Sequence, residues 1–403
     1  MDTIRAHTHR RVAVVHGAPL GIGGLGVQCA NAIAGAIASG AEVLALGPRG
    51  TVFENDGSGR LSAMAAPEFV PAWLRRFTWL RWNSGRFQQI HDRALGEWAA
   101  AQLRSVPVGL CYAFTQVGLE SMRWARESGI KSILDSPNGH IRNFRDVYVS
   151  EARRWCGGSY RGHPTPAMVS RVEEEYRLAD RIRVSSRWSR DSLVRGGVAS
   201  EKIDVLEQAV DLARFRLPAA RPIAQGPLRV AFVGSLDLRK GFAYLLEGIR
   251  KLGSKWVEFD IVGATGTRCC RQLFQRLSQG LAVRFAPGDP VPVLHRAELF
   301  ALPSLEDGSP FAVAEAMACG LPVVVARTSG AAEWVRPGAS GWVVAERSGD
   351  AIAVALEEAL RRRHELSAMG ALARRDTEQR AGPAACAAAV GGWLAAQMPT
   401  IVR

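Results

Sequence analysis

One pattern constrains this chain more than any other. A strand, a glycine-rich turn and a helix follow one another near the start, and the same alternation begins again after residue 227. Arg11-Val-Ala-Val-Val-His16 is a β-branched run bounded by charge and glycine, as expected of a strand buried on both faces of a parallel sheet. Gly21-Ile-Gly-Gly-Leu-Gly26 turns the chain, Val27–Ser39 is Ala-rich and helical in character, Gly40 stops it, and Glu42–Gly47 reads as the next strand. The second half repeats the order, with strands at Leu228–Gly234, Phe259–Gly263, Ala282–Ala286, Glu298–Pro303 and Leu321–Ala326 and helices at Tyr244–Leu252 and Cys269–Ser278. Strands joined through helices run parallel with crossover connections, so the class is α/β.

At 403 residues the chain is too long for one ordinary core. Arg216–Pro227 holds three prolines and reads as a linker. The expected organisation is therefore two doubly wound, Rossmann-like domains, 1–216 and 217–383, facing a cleft. A small-residue helix within 384–403 is placed to pack back on the first domain. Such sheets bind ligands outside the carboxyl ends of their strands, so chemistry is sought there.

A net charge of +13, spread over both halves, suits a phosphate-bearing ligand or an anionic membrane surface. No nucleic-acid module accompanies the charge, so nucleic acid is not expected as a partner. Seven cysteines without C-x-x-C spacing suggest a reduced, cytoplasmic compartment. The first residues lack the order of a secretory signal, and no apolar run approaches the ~18 residues of a spanning helix. Membrane contact would then be peripheral, on the inner face. Residues 60–104 break the alternation: Trp73, Phe77, Trp79, Trp82 and Phe87 interleave with Arg75, Arg76, Arg81 and Arg86. This segment is either an interfacial face for anionic lipid or a helix on the sheet with Arg stems over its edge.

Three segments carry candidate chemistry. Gly21–Gly26 matches G-x-G-x-x-G, but Gly17–Leu20 separate it from the strand, and the nearby acid, Glu42, opens the next strand instead of ending it. The match is read not as a dinucleotide fingerprint but as a backbone loop whose amides at Gly23 and Gly24 approach a phosphate or sugar oxygen. In the second half a strand runs into Gly234-Ser235-Leu-Asp-Leu-Arg239-Lys240, a glycine turn and a basic pair suited to a diphosphate. The third run, Leu302–Val325, places Asp307 in a loop and Glu315 in the following helix. The amides of Gly308, Ser309, Pro310 and Phe311 lie between them, Pro310 itself contributing no N–H. No metal-ligand spacing is found. His140, after Asp135-Ser-Pro-Asn-Gly, is placed at a strand's carboxyl edge facing the cleft.

The ordered set Lys240-Gly, Pro303-Ser-Leu-x-x-Gly308, Glu315-Ala-Met-Ala-Cys-Gly-Leu-Pro-Val-Val324, Ser329-Gly-Ala-Ala-Glu333 and Gly338-Ala-Ser-Gly-Trp-Val-Val344 resembles glycosyltransferase family 4. The resemblance covers about 230–345. Asp135–His140, Glu174–Ser186 and Gln208–Phe215 are similar more loosely. It implies the GT-B fold and a retaining, metal-independent transfer of sugar from a nucleotide diphosphate sugar to a hydroxyl acceptor, a saccharide or lipid-linked glycan in bacterial polysaccharide or glycoconjugate synthesis. By the same resemblance Lys240 binds the donor diphosphate and Glu315 the ribose hydroxyls. Asp307 and the Gly308–Phe311 amides contact the sugar and phosphate, Gly23 and Gly24 approach phosphate or acceptor, and His140 sits beside the transferring sugar.

Two positions depart from the family pattern. Ser235 stands where the family has a diphosphate-binding Arg, with Arg239 as the candidate substitute. Asp307 stands where it has Glu, with Glu306 adjacent. These departures leave open a GT-B epimerase or hydrolase, or a degenerate nucleotide-sugar-binding partner.

Overall fold

The computed structural model describes residues 11–48, 59–69, 84–157, 160, 162–219 and 226–398. The first half contains β1 (Arg11–Val15), α1 (Gly23–Ala38), β2 (Glu42–Gly47), β3 (Leu61–Ala65), α2 (Ser84–Leu103), β4 (Leu110–Phe114) and α3 (Leu119–Glu127). It continues with β5 (Lys131–Asp135), α4 (Ile141–Cys156), α5 (Pro166–Leu178), β6 (Arg181–Val184), α6 (Arg187–Arg195) and β7 (Ile203–Val205). The second half begins with β8 (Leu228–Val233), α7 (Phe242–Leu252), β9 (Val257–Val262), α8 (Arg268–Ser278), β10 (Ala282–Ala286) and α9 (Val291–Arg296). There follow β11 (Leu299–Leu302), α10 (Phe311–Ala318), β12 (Val323–Ala326), β13 (Gly341–Val344), α11 (Gly349–Arg361), α12 (Leu366–Ala381) and α13 (Pro383–Gln397).

Two parallel sheets result, in the orders β3-β2-β1-β4-β5-β6-β7 and β10-β9-β8-β11-β12-β13. Val12–Val15 and Val323–Ala326 are fully buried, which is why these strands are continuous apolar runs and do not alternate. Strand order reverses between β1 and β4 and again between β8 and β11. At each reversal the following loops diverge to opposite faces and open a crevice at the strands' carboxyl ends. The expected pair of doubly wound domains is the architecture observed.

The chain crosses between the two sheets more than the linear reading implied. Val147, Tyr148 and Ala152 of α4, from the first half, lie in the core built around β8 and α7. The Tyr148 hydroxyl donates to Asp237 at 2.8 Å, and Arg347 Nε donates to Glu151 Oε1 at 2.6 Å. At the other end of the chain α13 lies on α1. A Cβ on Gly35 would meet Val390 Cγ1 at 2.3 Å, so small residues set that close approach.

Cys156, ending α4, and Cys269, in α8, form a disulfide between the two halves. The absence of paired cysteine spacing had pointed to reduced thiols throughout. The pairing was hidden because it depends on α4 docking across the cleft, which sequence separation does not show. Trp73, Phe77, Trp79 and Trp82 lie outside the described residues, as do 220–225 of the linker; Arg86 and Phe87 lie on α2. No described helix is long and apolar enough to cross a membrane.

Candidate active site

A cavity of about 640 Å³ lies between the two sheets, at both switch points. Its second-domain wall carries Gly234, Ser235, Arg239, Lys240, Asp307 and Glu315, with Ser309, Pro310 and Phe311 completing it. The first-domain wall includes Gly23 and Gly24.

The glycine segment is not a free loop. Ile22 is the cap and the helix begins at Gly23, so Gly23 and Gly24 are the first turn of α1. Their role as backbone donors thus rests on a helix N-terminus, whose first amides have no intrahelical acceptors. A Cβ on Gly24 would stand 3.5 Å from Phe311 Cδ2, so the N-termini of α1 and α10 face one another across the cavity. Gly308 is required by close approach, since a Cβ there would lie 1.9 Å from the Pro137 carbonyl oxygen of the opposite domain.

Lys240 Nζ bonds Asp307 Oδ2 at 2.5 Å, and Arg239 Nη1 lies 3.3 Å from the same oxygen. Burial pushes the Asp307 carboxyl up, but the two cations outweigh it and hold it below the ordinary carboxylate range. Arg239, although it lines the cavity, is engaged by neighbouring protein groups. It donates to the Glu306 carbonyl at 2.5 Å and its guanidinium lies 5.2 Å from the Phe144 ring centroid, so it ties the acid loop to α4. Glu306 reaches across the domains, accepting the Gly139 amide at 2.7 Å, and burial raises its carboxyl to about 7.

Glu315 has a different environment. Burial raises its carboxyl to about 7, with Arg214 pulling the other way, and among the described residues its carboxylate accepts no hydrogen bond. A cavity-lining acid with free lone pairs is suited to a ligand that brings hydroxyl donors.

His140 is not in this cavity. It caps α4, its Nδ1 accepting from Arg142 N at 3.3 Å, and its ring lies 5.2 Å from that of Tyr176 beside Gly196. Burial lowers its pKa. The expectation that it stands beside a transferring sugar is corrected. Asn138 lines the cleft in its place, because the turn into α4 directs the next side chain but one to the far side. Sequence reasoning also did not single out Gln28, Gln88, Asp92, Thr115, Gln116 and Gln208, which line the first-domain wall. They come from four separate segments and form no motif; only Gln208 stood inside a stretch already similar to the family.

Residues 227–362 match the family model for Glycosyl transferases group 1. The chain carries a group 1 glycosyltransferase domain. The matched span holds Lys240, Asp307 and Glu315, so the recognised domain is the wall where the cations and acids converge. The chain is 32% identical over 186 residues to the amylovoran biosynthesis glycosyltransferase AmsK of Erwinia amylovora, covering 42% of this chain and 45% of that protein. It thus spans about half the length of the curated relatives it matches. The fold of the group 1 domain and its partner is that of sucrose-phosphate synthase from Thermosynechococcus elongatus. The TM-score is 0.74 with 17% identity, over 96% of this chain and 98% of that one. Anabaena HepE in complex with UDP-glucose superposes with a TM-score of 0.68 and 15% identity, over 96% and 99% of the two chains.

Proposed function

We propose that the protein transfers a sugar from a nucleotide diphosphate sugar to a hydroxyl acceptor, with retention of configuration, in the assembly of a bacterial polysaccharide or glycoconjugate. The observation that carries this reading is the placing of Lys240 and the unengaged Glu315 on one wall of a single cavity, beside the free N-terminus of α10. A ribose supplies the hydroxyl donors that the Glu315 carboxylate lacks. A diphosphate finds the Lys240 ammonium and the first amides of α10, which complement developing negative charge as the leaving group departs. Ser235, where the family has Arg, leaves Lys240 as the principal cation, because Arg239 is engaged by Glu306 and Phe144.

Asp307 fixes the position of the Lys240 ammonium and stands where it would meet sugar hydroxyls. Gly23 and Gly24 present amides from the opposite domain. The cavity lies between the domains, so closure would exclude water and favour transfer over hydrolysis. HepE is described in complex with UDP-glucose and AmsK by its part in amylovoran biosynthesis, and both descriptions support this substrate class. A cytoplasmic site loses the support of reduced thiols; the donor class now supports it. No cofactor or metal is invoked, the cations serving as the charge complement.

The test is a panel of nucleotide sugars with saccharide acceptors, analysed for product linkage. Product of retained anomeric configuration supports the reading. Release of free sugar or an epimer without acceptor would establish the hydrolase or epimerase alternative. Nucleotide diphosphate binding without turnover would establish a degenerate partner.

A further inference from the structure

The first-domain wall of the cavity carries two oxygen atoms that have no partner among the described residues, and both are fixed as acceptors. Asp92, on α2, lines the cavity with its side chain only 2% exposed. Its Oδ1 accepts from Gln88 Nε2 at 2.7 Å and lies 3.5 Å from His91 Nδ1, whereas its Oδ2 has no partner. Gln208 lines the same cavity, 4% exposed, and its Oε1 is also unpartnered.

The orientation of the Gln208 amide follows from the network behind it. Asp135, anchored by Arg183 Nη1 at 2.8 Å and by the Tyr112 hydroxyl, accepts Gln28 Nε2 at 2.5 Å. Gln28 must then turn its oxygen outward, and that oxygen accepts Gln208 Nε2 at 2.7 Å. Ser185 Oγ takes the same Gln208 nitrogen at 2.8 Å, leaving Oε1 as the free end of the chain. Each residue can satisfy its neighbour in only one way.

A buried acceptor left unmet is costly, so the cavity favours a ligand that brings donors to this wall. A phosphate brings none, and it would face the Asp92 carboxylate. Among the described residues, no Lys, Arg or His between 17 and 208 lines the cavity, and the basic groups nearest Asp92, His91 and Arg171, are not among its lining residues. The cations of the cavity, Arg239, Lys240 and Arg214, lie beyond residue 208.

We propose that Asp92 Oδ2 and Gln208 Oε1 form the acceptor subsite, and that the acceptor presents neutral saccharide hydroxyls there and not a phosphate or lipid diphosphate group. This rests on the transferase reading and adds the chemical class of the acceptor.

The experiment uses the full chain. UDP, GDP and ADP are first titrated by calorimetry to find the nucleotide diphosphate that binds. With it saturating, methyl glucoside, methyl galactoside, methyl mannoside and glucose 6-phosphate are compared by saturation-transfer NMR. At least one neutral glycoside should bind more tightly than glucose 6-phosphate. Asp92→Asn should weaken that glycoside at least about tenfold, as expected for one hydrogen bond to a charged group. Gln208→Met, which removes the second acceptor, should weaken it as well. Nucleotide affinity and melting temperature, measured on the same variants, report whether each is folded. Equal or tighter binding of glucose 6-phosphate, no binding of any neutral glycoside, or unchanged glycoside affinity in both folded variants would overturn the proposal. Failure of every nucleotide to bind would instead defeat the transferase reading.

Discussion

Lys240 Nζ rests 2.5 Å from Asp307 Oδ2, and this contact joins the turn after β8 to the loop after β11 at the floor of the cavity. It has two consequences. The ammonium is held on a short tether, and a carboxylate that burial would neutralise stays charged. On the proposed reading an arriving diphosphate would meet an ordered cation, so little conformational freedom would be lost at that moment.

Lys240→Ala should reduce transfer at least about 100-fold, the scale seen when one charge-stabilising donor is removed. Steady-state rates against donor concentration measure it. Wild-type turnover in a folded Ala variant would contradict the role assigned to this residue.

Glu315→Gln should weaken whichever nucleotide sugar proves to be the donor about tenfold through loss of a charge-assisted acceptor. In the wild type the carboxyl titrates near 7, so it gains charge between pH 6 and 8 and donor affinity should rise over that interval. Calorimetry at several pH values should show the rise in the wild type and a flat profile in the Gln variant.

Glu306 affects stability through its titration. Burial raises its folded-state value to about 7, so the folded protein holds a proton that the unfolded chain releases near the ordinary carboxylate value. That contribution is complete below the ordinary value and is lost as pH rises through about 7. Urea unfolding should show Glu306→Gln gaining on the wild type from pH 5 to pH 8, by on the order of 1–2 kcal/mol. Parallel curves would refute the linkage.

His140→Ala removes the cap of α4 and the ring packed on Tyr176. Stability should fall by about 1–3 kcal/mol while kcat and KM for the donor hold. A kinetic defect without a stability defect would return His140 to the reacting centre.

Reducing the Cys156–Cys269 bond, or replacing both residues with Ser, frees a tie between chain segments 113 residues apart. A loss of about 2–4 kcal/mol is expected from cross-links of this kind. Intact-protein mass before and after reduction, followed by thermal unfolding, tests both the bond and its effect.

Much of this was decided by the order of residues along the chain. Continuous apolar runs bounded by glycine and proline determine two parallel sheets, because only strands covered on both faces can be apolar throughout. Asp307 and Glu315 were legible together because one turn and one short helix fix their separation, whereas Lys240, read from its own motif after β8, meets Asp307 only because β8 pairs with β11. Tertiary structure decided what depends on packing between distant segments. His140 turns from the cleft because its ring caps α4, and Gly23 becomes helical because α1 begins one turn earlier than the Ala-rich stretch suggests. The pairing of Cys156 with Cys269 requires two domains to be docked, and the convergence of Asp92 and Gln208 on one wall requires the first domain to be folded. Such contacts join residues with no shared period or spacing, so one-dimensional pattern carries no trace of them.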